Sequence, residues 1–439
     1  MDRQQAKNQA WEAIEAVHSD LIRFGEDIRR HPELGYQENR TAQRILSAFQ
    51  SIGVTGVTRP AVTGVKGWLI NGAGPRIAVI GEMDGVISPE HPSADPQTGA
   101  AHACGHNAQL TSMLGCAVGL RAVEPLLTGA VCLIAAPAEE YIQINSRKEM
   151  MEEGVIQYLG GKQQMIAEGA FDDVDMAMMV HGETNAPCLR AVVGGHSTGF
   201  IGKQITFIGK EAHAGGAPWN GINALNAATL AISAIHANRE TFPDEDQIRV
   251  HPIITRGGDL VNTVPSHVEM ESYVRGATAQ AMCRANAIVN RAVTGAAFAV
   301  GAKAEIQDLP GYLPMEQNQV LGELFAENAM LAEPKIVVER GLAFCGSTDM
   351  GDLSSVMPVI QPTVSGFSGD AHSKDFCVSD PYAAYILPAK IMAATIIDLL
   401  FDGAEKAKKI CNQSNRRTKE EYMDLWKQLL DATKAGKIQ

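Results

Sequence analysis

The chain has 439 residues, is 45% hydrophobic and carries a formal net charge of −13. That length exceeds one ordinary core and predicts at least two domains. The acidic balance, with no basic face to meet phosphates, excludes nucleic acid as a partner. The eight Cys form no C-x-x-C pair and no disulfide framework, as in a protein of a reducing compartment. The N-terminus, MDRQQAKNQAWEAIEAVHSD, lacks the apolar stretch of a signal peptide. No apolar run reads as long enough to span a bilayer, so the expectation is a soluble, cytoplasmic protein with no membrane partner.

In chain order, the first forty residues or so predict helix, with a break at Pro32 and a further helix ending at Gly53. PRIAVIGEMDG is a short apolar run bounded by Pro75 and Gly81, as in a buried strand. GAVCLIAAPAEE (129–140) and VDMAMMVHGE (174–183) are two more, and NAQLTSMLGCAVGLRAV (107–123), between the first run and the second, predicts a helix. Strands alternating with helices predict an α/β fold with a mostly parallel sheet. Each run ends in polar residues: Glu82 and Asp84, then Glu139 and Glu140, then His181. Ligands of open α/β sheets bind beyond the carboxyl ends of the strands, so these ends are expected to converge on one site.

The texture changes near Gly194. STGFIGKQITFIGKEAHAG alternates like an edge strand, GINALNAATLAISAIHANRE predicts an amphipathic helix, and QIRVHPIITRGGDL and HVEMESYVRGA predict strands. A helix over TAQAMCRANAIVNRAVTGAAFAVG and a strand at KAEIQDL complete β-α-β-β-α-β, a ferredoxin-like α+β domain. The expected division is a lid at 194–307 within a discontinuous metal-binding domain, 1–193 and 308–439. The tail from about 403 predicts a charged helical appendage.

Cys104 and His106 stand two apart in HACGH, ahead of the predicted helix. Thiolate and neutral imidazole both suit zinc and related divalent ions. Glu140, His181 and His372 could complete such a set. A lone loop His is more often a surface or hydrogen-bonded residue, and a lone Cys more often an inert buried thiol; the joint pattern points to a metal. Adjacent residues at a strand end face opposite ways. One of Glu139 and Glu140 can therefore bind metal while the other takes a proton from water. Asp84 is placed to orient a ligating imidazole, since metal-bound His usually donates its other N–H to a carboxylate.

The segments HPELGYQENRTA, EMDG, HACGH, PAEE, DDVDMAMMVH, KEAHAGGAPWNGINAL, GGDLVNTVPSHVEMESYVRG, GSTDMGD and GDAHSKDF together resemble the aminoacylase and carboxypeptidase G type of metal-dependent amidohydrolases. The likeness is greatest to the branch that cleaves N-acyl amino acids, which includes aminobenzoyl-glutamate and auxin-conjugate hydrolases. The resemblance implies a catalytic α/β domain interrupted by a ferredoxin-like dimerisation lid, and a homodimer or higher homo-oligomer. It implies one or two divalent ions, zinc or manganese first, with cobalt or nickel also suited. Cys104 would bridge them, His106, Glu140, His181 and His372 would be terminal ligands, and Glu139 the general base. His213 in EAHAG would reach into the partner subunit's site and stabilise the oxyanion, and Asn262 and Arg275 would hold a substrate carbonyl or carboxylate.

The chain departs from that branch in three places. EMDGVI replaces Asp followed by Asp-Ala-Leu-Pro, Asn107 replaces an Asp after the second His, and a stretch of roughly fifteen residues is added within YIQINSRKEMMEEGVIQYLGGKQQ. The expected activity is hydrolysis of a C–N amide bond in an N-acyl or aminobenzoyl amino acid, a small-molecule substrate. The alternative on the same scaffold is hydrolytic deamination of an electron-poor aromatic amine of the nitroanthranilate type.

Overall fold

The structure is a computed structural model that describes residues 1–342, 346–414 and 417–432. The chain forms two compact units. The first comprises Met1–His196, Glu316–Ala343 and Asp352–Lys419; the second comprises Ser197–Met315, Phe344–Gly351 and Glu420–Gln439.

The first unit is built on a six-stranded sheet in the order Thr55–Thr58, Val65–Asn71, Ala130–Ala136, Arg76–Glu82, Met176–Met178, Val359–Ile360. The last three pairings are parallel and the first two antiparallel. Ala130–Ala136 is buried at every position, as strands covered on both faces must be. The helix His106–Val123 is likewise buried along nearly its whole length. The run VDMAMMVHGE does not form one strand. Met176–Met178 ends in the main sheet, and His181 opens a new strand, His181–Thr184, in a second sheet, parallel to Thr363–Ser368. His181 thus begins an element rather than ending one.

One apolar run does reach bilayer length. Tyr382–Leu400 spans 19 residues with a mean hydropathy of 1.6, enough by length and composition to cross a membrane. Its most apolar window is 94% buried inside the protein, and its residues from Ile386 onward pack in the core of this unit. The all-round apolar surface that resembles a membrane span here faces protein on every side.

The second unit is the expected ferredoxin-like fold. Strands Gly199–Ile208, Arg249–Arg256, His267–Gly276 and Lys303–Tyr312 form an antiparallel sheet ordered second, third, first, fourth. Helices Ala224–Ala237 and Ala279–Ala299 supply one side of its core. Gly199–Ile208 is central, with partners on both sides, not an edge strand as its alternation suggested. Alternation reports that one face is covered; it is silent on lateral pairing. A division at 307/308 would cut the last strand, which pairs with Gly199–Ile208 from Lys303 to Tyr312. The tail also divides: Glu405–Gln413 falls in the first unit, while Lys419–Ala432 lies almost wholly in the second, where Cys283 Sγ contacts the Leu429 carbonyl oxygen at 3.7 Å. Residues 433–439 of that predicted helix lie outside the described residues.

Candidate metal centre and lid residues

The site is assembled from strand ends and the loops that follow them. Gly105 caps the helix His106–Val123 in a left-handed conformation, φ 87°, which only glycine adopts without strain. That turn places Cys104 and His106 at the helix start, 22 residues beyond Glu82 and Asp84 respectively. His106 Nδ1 lies 2.8 Å from the Asp84 carbonyl oxygen and 3.2 Å from its Oδ1.

 The Nδ1–H is therefore directed at Asp84, and Nε2 faces the other way, towards the carboxylates. Asp84 itself is clamped, accepting the backbone N–H of Glu140 at 2.9 Å.

The strand Ala130–Ala136 runs into Pro137–Ala138–Glu139–Glu140. Ala138 takes φ 50°, and the two glutamates part there. Glu140 Oε1 lies 3.2 Å from His372 Nε2, while Glu139 Oε2 lies 3.9 Å from His106 Nε2. Cys104 Sγ lies 3.5 Å from His181 Nε2. His372, itself at φ 64°, is tied to the HACGH loop by its backbone N–H, which donates to the Ala103 carbonyl at 2.8 Å.

Three groups of ligand atoms result, each with its members within 4.8 Å of one another: Cys104, His106 and His181; Cys104, Glu140 and His372; and Glu82, His106 and Glu139. Cys104 belongs to the first two, the position a bridging ligand would hold. All five sequence-predicted ligands fall in these groups, and Glu139 and Asp84 lie against them.

The electrostatics fit a cation. Burial alone would raise the Cys104 thiol, but the charges of His181 and His106 pull it well below its usual range. His372 is raised by hydrogen bonds to Cys104 and Glu140. Burial, and then the Cys104 charge, push Glu140 up. Burial would raise Asp84, but its hydrogen bond to His106, the His106 charge and the Glu140 backbone N–H together hold it down at about 2. Buried polar atoms normally have partners, yet His106 Nε2 makes no hydrogen bond. Thiolate, imidazole and carboxylate donors converging on such atoms are what a divalent ion requires.

His102, the first His of HACGH, is not in any of the three groups. It is buried, neither ring nitrogen makes a hydrogen bond, and burial lowers it to about 3. Sequence reasoning placed Glu82 among the polar strand ends that converge on the site without giving it a role of its own, and gave none to Lys162 or Glu38. Glu82 Oε1 accepts from Lys162 Nζ at 2.5 Å, and its Oε2 accepts from Gln109 Nε2 at 2.8 Å. Lys162 lies on the helix Gly161–Ala167, at the end of the segment 141–164 within which the added stretch falls; that segment also forms the helix Ile144–Glu152. A Cβ on Gly161 would stand 1.6 Å from the Pro137 carbonyl oxygen, so only glycine lets the stretch dock this close to the Glu139 turn.

The remaining predicted residues belong to the second unit. His213 is exposed, and its Nδ1 accepts the backbone N–H groups of Gly215 at 3.2 Å and Gly216 at 2.9 Å. With Nδ1 accepting, Nε2 carries the proton and is a donor. Asn262 is exposed nearby, its carbonyl accepting from Ala214 N at 2.9 Å. Arg275 lies over the rings of Phe200 and Tyr273 and donates to Ser347 Oγ at 2.6 Å.

Comparison with known proteins agrees with this organisation. Residues 196–297 match a family model described as a peptidase dimerisation domain. The chain is 28% identical over 420 residues to a mouse Xaa-Arg dipeptidase, covering 91% of this chain and 90% of that protein. It is 30% identical over 315 residues to an N-acetylcysteine deacetylase of Bacillus subtilis, covering 70% and 78%. A Bacillus subtilis structure described as a dinuclear metal-binding peptidase from the M20 family superposes with a TM-score of 0.65 at 23% identity, over 88% of this chain and 99% of that one.

Proposed function

The chain belongs to the M20 family of metal-dependent peptidases and amidohydrolases, and from that premise we propose that it hydrolyses the C–N amide bond of an N-acyl amino acid, with dipeptides and aminobenzoyl amino acids in the same class. One observation carries the reading: Cys104 is shared by two ligand groups while Glu139 stands 3.9 Å from His106.

Cys104, His106, Glu140, His181 and His372 would hold one or two divalent ions, zinc or manganese in the first place and cobalt or nickel as further candidates. Bound there, such ions supply Lewis-acid polarisation of a carbonyl and lower the pKa of water. Glu139 Oε2 accepts the proton of the attacking water and returns it to the leaving amine nitrogen. Asp84 fixes the His106 ring. His213 offers its Nε2–H to the developing oxyanion in the site of the partner subunit, a donor whose loss typically costs about 3 kcal/mol. Arg275 and Asn262 hold the substrate carboxylate or carbonyl. We assign the lid to a homodimer and the protein to the cytoplasm.

The test is a product assay. Metal-loaded protein is incubated with N-acyl amino acids, dipeptides, aminobenzoyl-glutamate and substituted anthranilates, and products are identified by mass. An amine plus a carboxylic acid is the expected outcome. Ammonia plus a hydroxyarene would replace this reading with aromatic deamination.

A further inference from the structure

Glu82 ends the strand Arg76–Glu82 and is 1% exposed. Both its oxygens are fixed, Oε1 by Lys162 Nζ and Oε2 by Gln109 Nε2, and Gln109 Oε1 also accepts the Glu82 backbone N–H at 3.1 Å. Oε2 comes to rest 3.1 Å from His106 Nε2. That contact is not a hydrogen bond: Nε2 has no hydrogen-bond partner. One ligand atom each from Glu82, His106 and Glu139 lies within 4.8 Å of the other two, all three side chains buried. Three such donors facing one another are the arrangement a cation would occupy. Nitrogen and oxygen donors at roughly 2.0–2.2 Å from one tetrahedral ion stand about 3.3 Å apart, close to the separation seen. The pair His372 and Glu140, at 3.2 Å, has the same spacing.

We propose that Glu82 is an oxygen ligand of the ion held at His106, with Lys162 and Gln109 as the residues that position it. A carboxylate oxygen has two lone pairs; Gln109 occupies one on Oε2 and leaves one for the ion. Lys162 supplies the opposite charge that a further buried carboxylate beside Glu139 and Asp84 needs. The helix Gly161–Ala167 carries Lys162 to Glu82. An added carboxylate makes the donor set harder and favours manganese relative to zinc.

This proposal rests on the metal reading above, and the test separates the two. Metal-free wild-type protein, Glu82→Gln, His106→Ala and the charge-neutral double variant Glu82→Gln/Lys162→Met are titrated with Mn²⁺ and Zn²⁺ against a competing chelator. Folding is checked by circular dichroism. The equivalent that His106→Ala abolishes marks the relevant ion. Glu82→Gln, or the double variant if the single one does not fold, is expected to weaken Mn²⁺ at that equivalent at least tenfold, and Zn²⁺ less. The Co²⁺ visible spectrum should change with it. Wild-type affinity for both ions at that equivalent, with an unchanged spectrum, overturns the role of Glu82. Wild-type protein that binds no ion overturns the metal reading itself.

Discussion

Glu38, fully buried, accepts the backbone N–H of Ala138 at 2.8 Å, so the residue that opens the Glu139–Glu140 turn is held from a helix cap 100 positions away. The other carboxylate oxygen accepts from Thr63 Oγ1 at 2.6 Å. Burial, then the charge of Asp84, push Glu38 up to about 8. The folded state therefore keeps a proton that the unfolded chain releases near 4.5. Stability from this group is fully present below that lower value and is lost as pH rises through about 8. Metal-free wild-type protein is expected to lose melting temperature across that interval, and Glu38→Gln to lose less. An equal slope in the two proteins would remove Glu38 as the cause.

The two glutamates of the turn should separate kinetically. Glu139→Gln is expected to lower kcat by about 10²- to 10⁴-fold, the usual contribution of a general base, with metal content unchanged. Glu140→Gln is expected to lose bound metal, measured by elemental analysis after dialysis.

Chelation should abolish turnover and lower the melting temperature together. A ligand at a hundred times its dissociation constant stabilises a fold by about 2.7 kcal/mol, and readdition of the ion should restore both quantities. A stripped protein that keeps full activity would contradict the metal requirement.

Gly105→Ala places a side chain on a left-handed residue, with its Cβ 3.3 Å from the Phe367 ring. The backbone penalty is roughly 1–2 kcal/mol. The expected result is a lower melting temperature and weaker metal retention, because the strain falls on the turn between Cys104 and His106.

In the second unit, Lys203 is buried against Asp308, with Asn290 Oδ1 accepting from its Nζ at 2.5 Å. Asp308 Oδ2 accepts from Asn286 at 2.7 Å and Asn290 at 2.9 Å. Lys203→Met takes the opposite charge away from the part-buried carboxylate, which keeps its two amide donors, and should cost about 3–5 kcal/mol. Lys203→Met/Asp308→Leu removes both charges and should recover much of that loss in a denaturant melt.

The candidate ligand set was legible because its members lie in short motifs whose neighbours carry the same message: Cys104 with His106, Glu139 with Glu140, His181 after an apolar run. The lid was legible because its strands and helix periods alternate in a recognised order. The partners of Glu82, Lys162 and Glu38 were not. Each is a charge whose role depends on a partner distant in the chain: Glu82 and Lys162 stand 80 positions apart, and Glu38 and Ala138 stand 100 apart. Local pattern carries no trace of such pairings. The bilayer length of Tyr382–Leu400 went unread in the sequence, and hydropathy would in any case have recorded how apolar that helix is and not what surrounds it.

The bond from His372 N to the Ala103 carbonyl joins two loops that lie on either side of the whole lid sequence. While the polypeptide is still being synthesised, the first four ligands emerge long before the fifth. Such non-local closures are slow, so a ribosome-bound fragment ending within the lid would present an incomplete ion cage, and the finished cage would close only after the last segment had been released and folded back.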